Sequence, residues 1–273
     1  MYPSNQEDKM NDPTNNFLTV YLDGADTVTK EVRKKNPLAL QLLNECVNKI
    51  GEQIINWGVL GSAAQQLALQ SQAVFLAAVR TAISGHPAAI HSSLRTALEC
   101  ASYALLVAKN RPETEILWEN RHKDKDALRL HKKTFGPAVE LAAVEVGKHQ
   151  ADLEEYLKAL YNVCIDFGAH PNPRGLMPHI KKDRGEAESE YDFVTLYHWG
   201  QQVEIGMVFC IEVGIGLIWL LATATKNSDL LTPPSTYLNN LMDRKCDYAE
   251  EIVGHPIEYK KTMYEQVDPD PAE

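Results

Sequence analysis

SGHPAAIHSSLRTALECASYALLVAKN, residues Ser84 to Asn110, reads as a helix that is apolar almost all round and carries one polar stripe. Leu94, Leu98, Ala101 and Leu105 recur at helical spacing and define a core face. Between Pro87 and Ala108 the only fixed charges are Arg95 and Glu99, which stand four residues apart and therefore stack on one face. His91 lies one turn before them and Ser102 one turn after. A charge on an otherwise apolar helix must be paired, hydrogen-bonded or turned toward a cleft, because an unpaired buried ion costs several kcal/mol or more. The stripe therefore predicts a partner elsewhere in the chain.

Outward from this helix the pattern stays helical. On the N-terminal side, Leu40, Leu43, Val47, Ile50 and Ile54 predict a helix from Pro37 to about Trp57, with proline at its favoured first position. A second helix is expected from Ser62, read as its cap, to Ser84, rich in alanine and so suited to close approach. Further back, FLTVYL (Phe17–Leu22) reads as a short strand, and residues 1–36 as a largely disordered segment. On the C-terminal side, a polar helix is expected from Glu113 to about Thr134, with a break at Gly136-Pro137 before it resumes to His149. Its basic run RHKDKDALRLHKK reads as a solvated face, with a patch for RNA or a partner as the alternative.

Asp152 to Phe167 forms another amphipathic pattern, ended by Gly168 and followed by AHPNPRGLMPHI, where three prolines and a glycine stiffen the backbone. A β-hairpin is expected between about Leu176 and Tyr197, across the acidic turn DRGEAESE. Trp199 to Thr225 is nearly long enough to cross a bilayer, but Glu212 interrupts it and Gly206, Gly214 and Gly216 suit close packing. A buried core helix is the expectation. Ser235 to Ala249 is the last predicted helix, and residues 251–273 read as a mobile acidic tail.

The chain therefore predicts an all-α bundle of six or seven helices spanning residues 37–250, with a small hairpin insertion at 176–197. Its 273 residues carry 27 Lys+Arg against 37 Asp+Glu, a net charge of −10 that argues against broad nonspecific binding to nucleic acid, DNA included, or to an anionic membrane, and leaves room for a local basic patch. Five scattered cysteines without a CxxC pair predict reduced, packed thiols, and with no basic, apolar leader a cytoplasmic location is expected. No βαβ alternation or glycine-rich phosphate loop appears, and no cofactor is expected. Nor is a metal, since His86 and His91 diverge by about 140° on a helix.

The candidate site joins His91, Arg95 and Glu99 to His170, Asn172 and Arg174 of the stiffened loop. Two guanidinium groups beside an imidazole make an anion site suited to phosphate, because the planar fork of arginine donors matches its oxygens. The plainer alternative is that Arg95 and Glu99 pair with each other and that His170 braces a helix end.

LRTALECASYA and DFGAHPNPRGL resemble the Arg-x-x-x-Glu helix and His-Pro loop of bacterial all-helical proteins related to the HEPN superfamily, over roughly Leu40 to Ile180. That resemblance implies a protein of phage-defence or toxin–antitoxin type, in many members a metal-independent ribonuclease using Arg-x4–6-His. Arg174 to His179 has this spacing, with Gly175 where a polar residue is usual. It would place His170 or His179 in proton transfer and Arg95 and Arg174 on phosphorane charge, with RNA, an antitoxin-like protein and a second copy as partners. The alternative is a non-enzymatic helical module that binds a protein or a small anion.

Overall fold

A computed structural model describes residues 16–55, 60–110, 112–168, 173–176, 180–182, 191–232, 236–259 and 261–267. The chain is all-α. Asn16 opens α1 (Phe17–Lys35) by accepting the Leu18 N–H at 3.0 Å. Phe17–Leu22 is thus helix and not strand: beyond those six residues, Ala25, Val28, Thr29 and Val32 bury one face at helical spacing. Residues 17–35 of the segment expected to lack structure are ordered in this way, while residues 1–15 lie outside the described residues.

Asn36 makes the corner into α2 (Pro37–Ile55). Its side chain accepts the Ala39 N–H at 3.0 Å and donates to the Tyr248 hydroxyl. After α3 (Ser62–Ile83), whose cap is Gly61 and not Ser62, Gly85 adopts φ +89 and a short 3-10 turn, Pro87–Ala89, leads into α4 (Ile90–Lys109). Small residues let α3 and α4 approach closely enough for the Ser71 hydroxyl to reach the Ala97 carbonyl at 2.8 Å. The expected polar helix divides into α5 (Glu113–Glu119) and α6 (Lys125–Phe135), because Asp124 caps a fresh start through the Ala127 N–H at 2.8 Å. Next come α7 (Ala138–Gly147), α8 (Asp152–Gly168) and the four-residue α9 (Pro173–Leu176). The division of this region, together with α1, gives more helices than six or seven.

Strands β1 (Ile180–Lys182) and β2 (Tyr191–Phe193) pair antiparallel over three residues each. The axis of the molecule is α10 (Gln201–Thr225), surrounded by α2, α3, α4 and α12 (Thr236–Val253). It is long and apolar enough to cross a membrane, yet its apolar length is covered inside the fold. A methyl group on Gly214 would meet the Cys46 side chain at 2.9 Å and Phe75 at 3.0 Å, so glycine sets how near α10 comes to its neighbours.

Between α10 and α12 lies α11 (Ser228–Leu231), and the last element is α13 (Met263–Val267). It corrects the reading of 251–273 as a mobile tail. The Met263 N–H donates to both oxygens of Glu212, at 3.1 and 2.9 Å, and Lys245 Nζ donates to Glu212 Oε1 at 3.2 Å. Glu212 and Lys245 are buried together, which explains how a carboxylate is tolerated in the most apolar helix. Residues 268–273 lie outside the described residues.

Candidate functional site

Only one edge of α4 reaches solvent along its length. Ser92 and Thr96 are exposed there, and Arg95, Glu99 and Tyr103 are half-buried, while the opposite face is core. Arg95 Nε donates to Glu99 Oε1 at 2.9 Å, as the four-residue spacing predicts. Helix α8 adds Tyr161, whose hydroxyl donates to the same Glu99 oxygen at 2.7 Å. Its ring lies 5.7 Å from the Arg95 guanidinium carbon. Burial, followed by donation to Glu99, pushes the Tyr161 phenol up to about 12. Arg95 and Glu99 each keep a third of the side chain accessible. The guanidinium is thus engaged by Glu99 through Nε and lies within hydrogen-bonding reach of the Tyr161 hydroxyl as well, while part of its surface stays open to solvent.

The C-terminal end of α8 lies directly on the start of α4. A Cβ on Gly168 would fall 2.4 Å from His91 Cβ and 2.8 Å from the Ser92 nitrogen, an approach only glycine permits. The stiffened segment thus leaves α8 beside His91 and Ser92, one turn from Arg95. His170, Asn172 and His179 themselves lie outside the described residues. Arg174 lies on α9, which folds back so that Gly175 sits against the Phe167 carbonyl.

His91 turns away from the accessible edge, with 1% of its surface exposed. Its ring lies 5.4 Å from Phe167, 5.4 Å from Phe209 and 5.0 Å from Tyr264, so α13 closes an aromatic box around it. Burial raises the Tyr264 phenol far above its usual range. His91 is thus packed among these rings and does not share the accessible edge with Arg95.

Several polar residues of this region escape a sequence reading. Tyr103 continues the stripe one turn beyond Glu99 and packs on His131, ring centres 6.2 Å apart, and on Phe135. Burial and then Arg121 lower the His131 pKa, and among the described residues its buried Nε2 has no hydrogen-bond partner. The i+4 step from Glu99 to Tyr103 was the available signal. A second Arg-x4–6-His spacing, Arg80 to His86, was also legible. In the fold these two diverge: Arg80 bonds Thr29 at 2.7 Å and pairs with Asp26, while His86 faces Tyr21. The five cysteines are free, four of them buried, and burial pushes Cys46 up to about 12 and Cys100 to about 11. Among the described residues no group of three His, Cys, Asp or Glu gathers as metal ligands. Comparison with known protein families, curated proteins and solved structures finds no match to this chain.

Proposed function

We propose that the Arg95–Glu99–Tyr161 centre receives a phosphate group of RNA, and that the chain is a HEPN-like cytoplasmic protein of bacterial defence or toxin type acting as a metal-independent endoribonuclease. One observation carries this reading: Arg95 is held by Glu99 through Nε, with a third of its side chain accessible, beside the departure point of the 169–172 segment. A guanidinium fixed at one edge loses little freedom when its other edge meets phosphate oxygens. The reaction this suits is attack of a ribose 2′-hydroxyl on the adjacent phosphorus. A 2′,3′-cyclic phosphate forms and the 5′-hydroxyl of the next nucleotide leaves. His170 or His179 would take the proton from the first hydroxyl and supply one to the second, and Arg95 would stabilise the added negative charge. The net charge of −10 restricts such binding to a local site.

The test is incubation of purified protein with total RNA in the presence of EDTA, beside Arg95→Ala and His170→Ala. Cleavage should fall by about 10²–10³-fold in the arginine variant. Cleavage unchanged in both variants removes the site. A second reading, anion recognition without cleavage, is favoured by the engagement of Arg95 with Glu99, which already neutralises it. RNA or phosphate binding that depends on Arg95 with no cleavage by the native protein would select it.

A further inference from the structure

A cavity of about 200 Å³ opens between α1, the turn before α4 and the segment after β2, lined by Tyr21, His86, Ala88, Ala89, Thr195 and Tyr197 among others. It has room for about six or seven waters, and so for one small heterocycle. Its wall is strapped in place at Gly85: the Tyr197 N–H donates to the Gly85 carbonyl at 2.8 Å, and a Cβ on Gly85 would strike the Tyr197 carbonyl at 2.4 Å.

A chain of hydrogen bonds fixes the polarity of the cavity. The Ser84 hydroxyl donates its one hydrogen to the Thr81 carbonyl at 2.9 Å. The contact at 3.0 Å between Ser84 Oγ and His86 Nδ1 must then be donated by the imidazole, which leaves Nε2 bare. Nε2 accepts the Tyr21 hydroxyl, so Tyr21 Oη has spent its hydrogen and offers only lone pairs. Burial, then the nearby Arg80, lower the His86 pKa and keep this neutral tautomer at pH 7. The Tyr21 and His86 rings meet edge to face at 5.1 Å and give an aromatic wall.

We propose that this cavity binds a planar heterocycle bearing an amino donor, an adenine or cytosine base, with its exocyclic amine donating to Tyr21 Oη. The inference rests on the RNA reading above. Ala89, at the cavity, precedes Arg95 by six residues, about 9 Å along the axis and about 120° round it, so a strand that reaches both must cross the intervening face of α4. Adenine and cytosine present an amine where uracil presents a carbonyl oxygen, so an acceptor-only tyrosine discriminates between them.

The experiment measures binding of adenosine, cytidine, uridine and purine riboside, all without phosphate, by ligand-observed NMR to the native protein, Tyr21→Phe and Arg95→Ala. Adenosine and cytidine should outbind uridine, and adenosine should outbind purine riboside, which lacks only the amine. Tyr21→Phe keeps the ring and should weaken adenosine about five- to tenfold, while leaving purine riboside unchanged. Equal binding of adenosine and purine riboside by the native protein overturns the proposal without recourse to any variant. Adenosine 5′-monophosphate separates the two readings. If it binds through Arg95 with no preference among bases, the phosphate site stands and the base cavity falls. If nucleosides show the preference but the phosphate adds nothing, the cavity stands and the RNA reading falls. Tighter binding of tetra-adenylate than of the mononucleotide supports a strand as the source of the base, and equal binding overturns that source.

Discussion

Replacing Lys245 by methionine tests whether the Glu212 pair fastens the C-terminal segment to the core. Both side chains are buried, with Nζ 3.2 Å from Oε1, a separation worth about 5 kcal/mol of attraction at an effective dielectric of about 20. Lys245→Met keeps much of the volume but leaves the Glu212 carboxylate with the Met263 N–H. Removal of one partner from such a pair costs about 3–5 kcal/mol, which for a chain of this length lowers Tm by about 6–20 °C. Burial raises the Glu212 pKa against the opposing pull of Lys245. A carboxyl raised in the folded state contributes stability at low pH that is lost as pH rises through its folded value, so the variant should suffer less at about pH 5 than at pH 8. In the double variant with Glu212→Gln, the amide oxygen still accepts the Met263 N–H and no charge is stranded. It should recover most of the loss, giving strong non-additivity. Urea unfolding followed by far-UV circular dichroism and tryptophan fluorescence together measures Lys245→Met, Glu212→Gln and the double variant against the native protein. A loss under about 1 kcal/mol for Lys245→Met, or additive losses in the double variant, refutes the reasoning.

Two further outcomes follow from contacts described above. Gly168→Ala forces a methyl group to within 2.4 Å of His91 Cβ and 2.8 Å of the Ser92 backbone nitrogen, so it should cost about 1–3 kcal/mol or more in the same assay. Gly200→Ala, with nothing within 4 Å, should be near neutral, and equal stability of the two variants would contradict the close approach of α8 to α4. His86 and His131 both have pKa values lowered from 6.5, by burial first and then by neighbouring cations. Their contribution is present above about pH 6.5 and is lost as pH falls through the folded values, so Tm should rise from about pH 5 to pH 7.5, less so in His86→Gln/His131→Gln. A profile equally steep in that double variant would show that other groups carry it.

Much of the helical frame was legible because its signal is local. Leu40 through Ile54 gave α2 within two residues of its end, and Pro87 and Asn110 bracketed α4. Phe17–Leu22 misled because four of its six residues are β-branched or aromatic and fit a strand, while the deciding evidence, Asn16 and the buried face running to Val32, lies outside that window. The docking of α13 had no local signal: Met263 is held by Glu212, 51 residues earlier, and Tyr264 by rings on three other helices. At the site, the Arg95–Glu99 stack followed from spacing alone. Tyr161 could be found only by placing α8 beside α4, because in sequence it is one more aromatic residue on a helix.

The burial of α10 on all sides orders events in the living chain. At about 5–20 residues per second, α4 and the helices before it are complete some 6–23 s ahead of the rod they enclose, whose end comes 116 residues later. During that interval the faces of α2, α3 and α4 that will grip it are greasy and uncovered. The nascent protein then holds an open apolar trough until the missing strut is delivered.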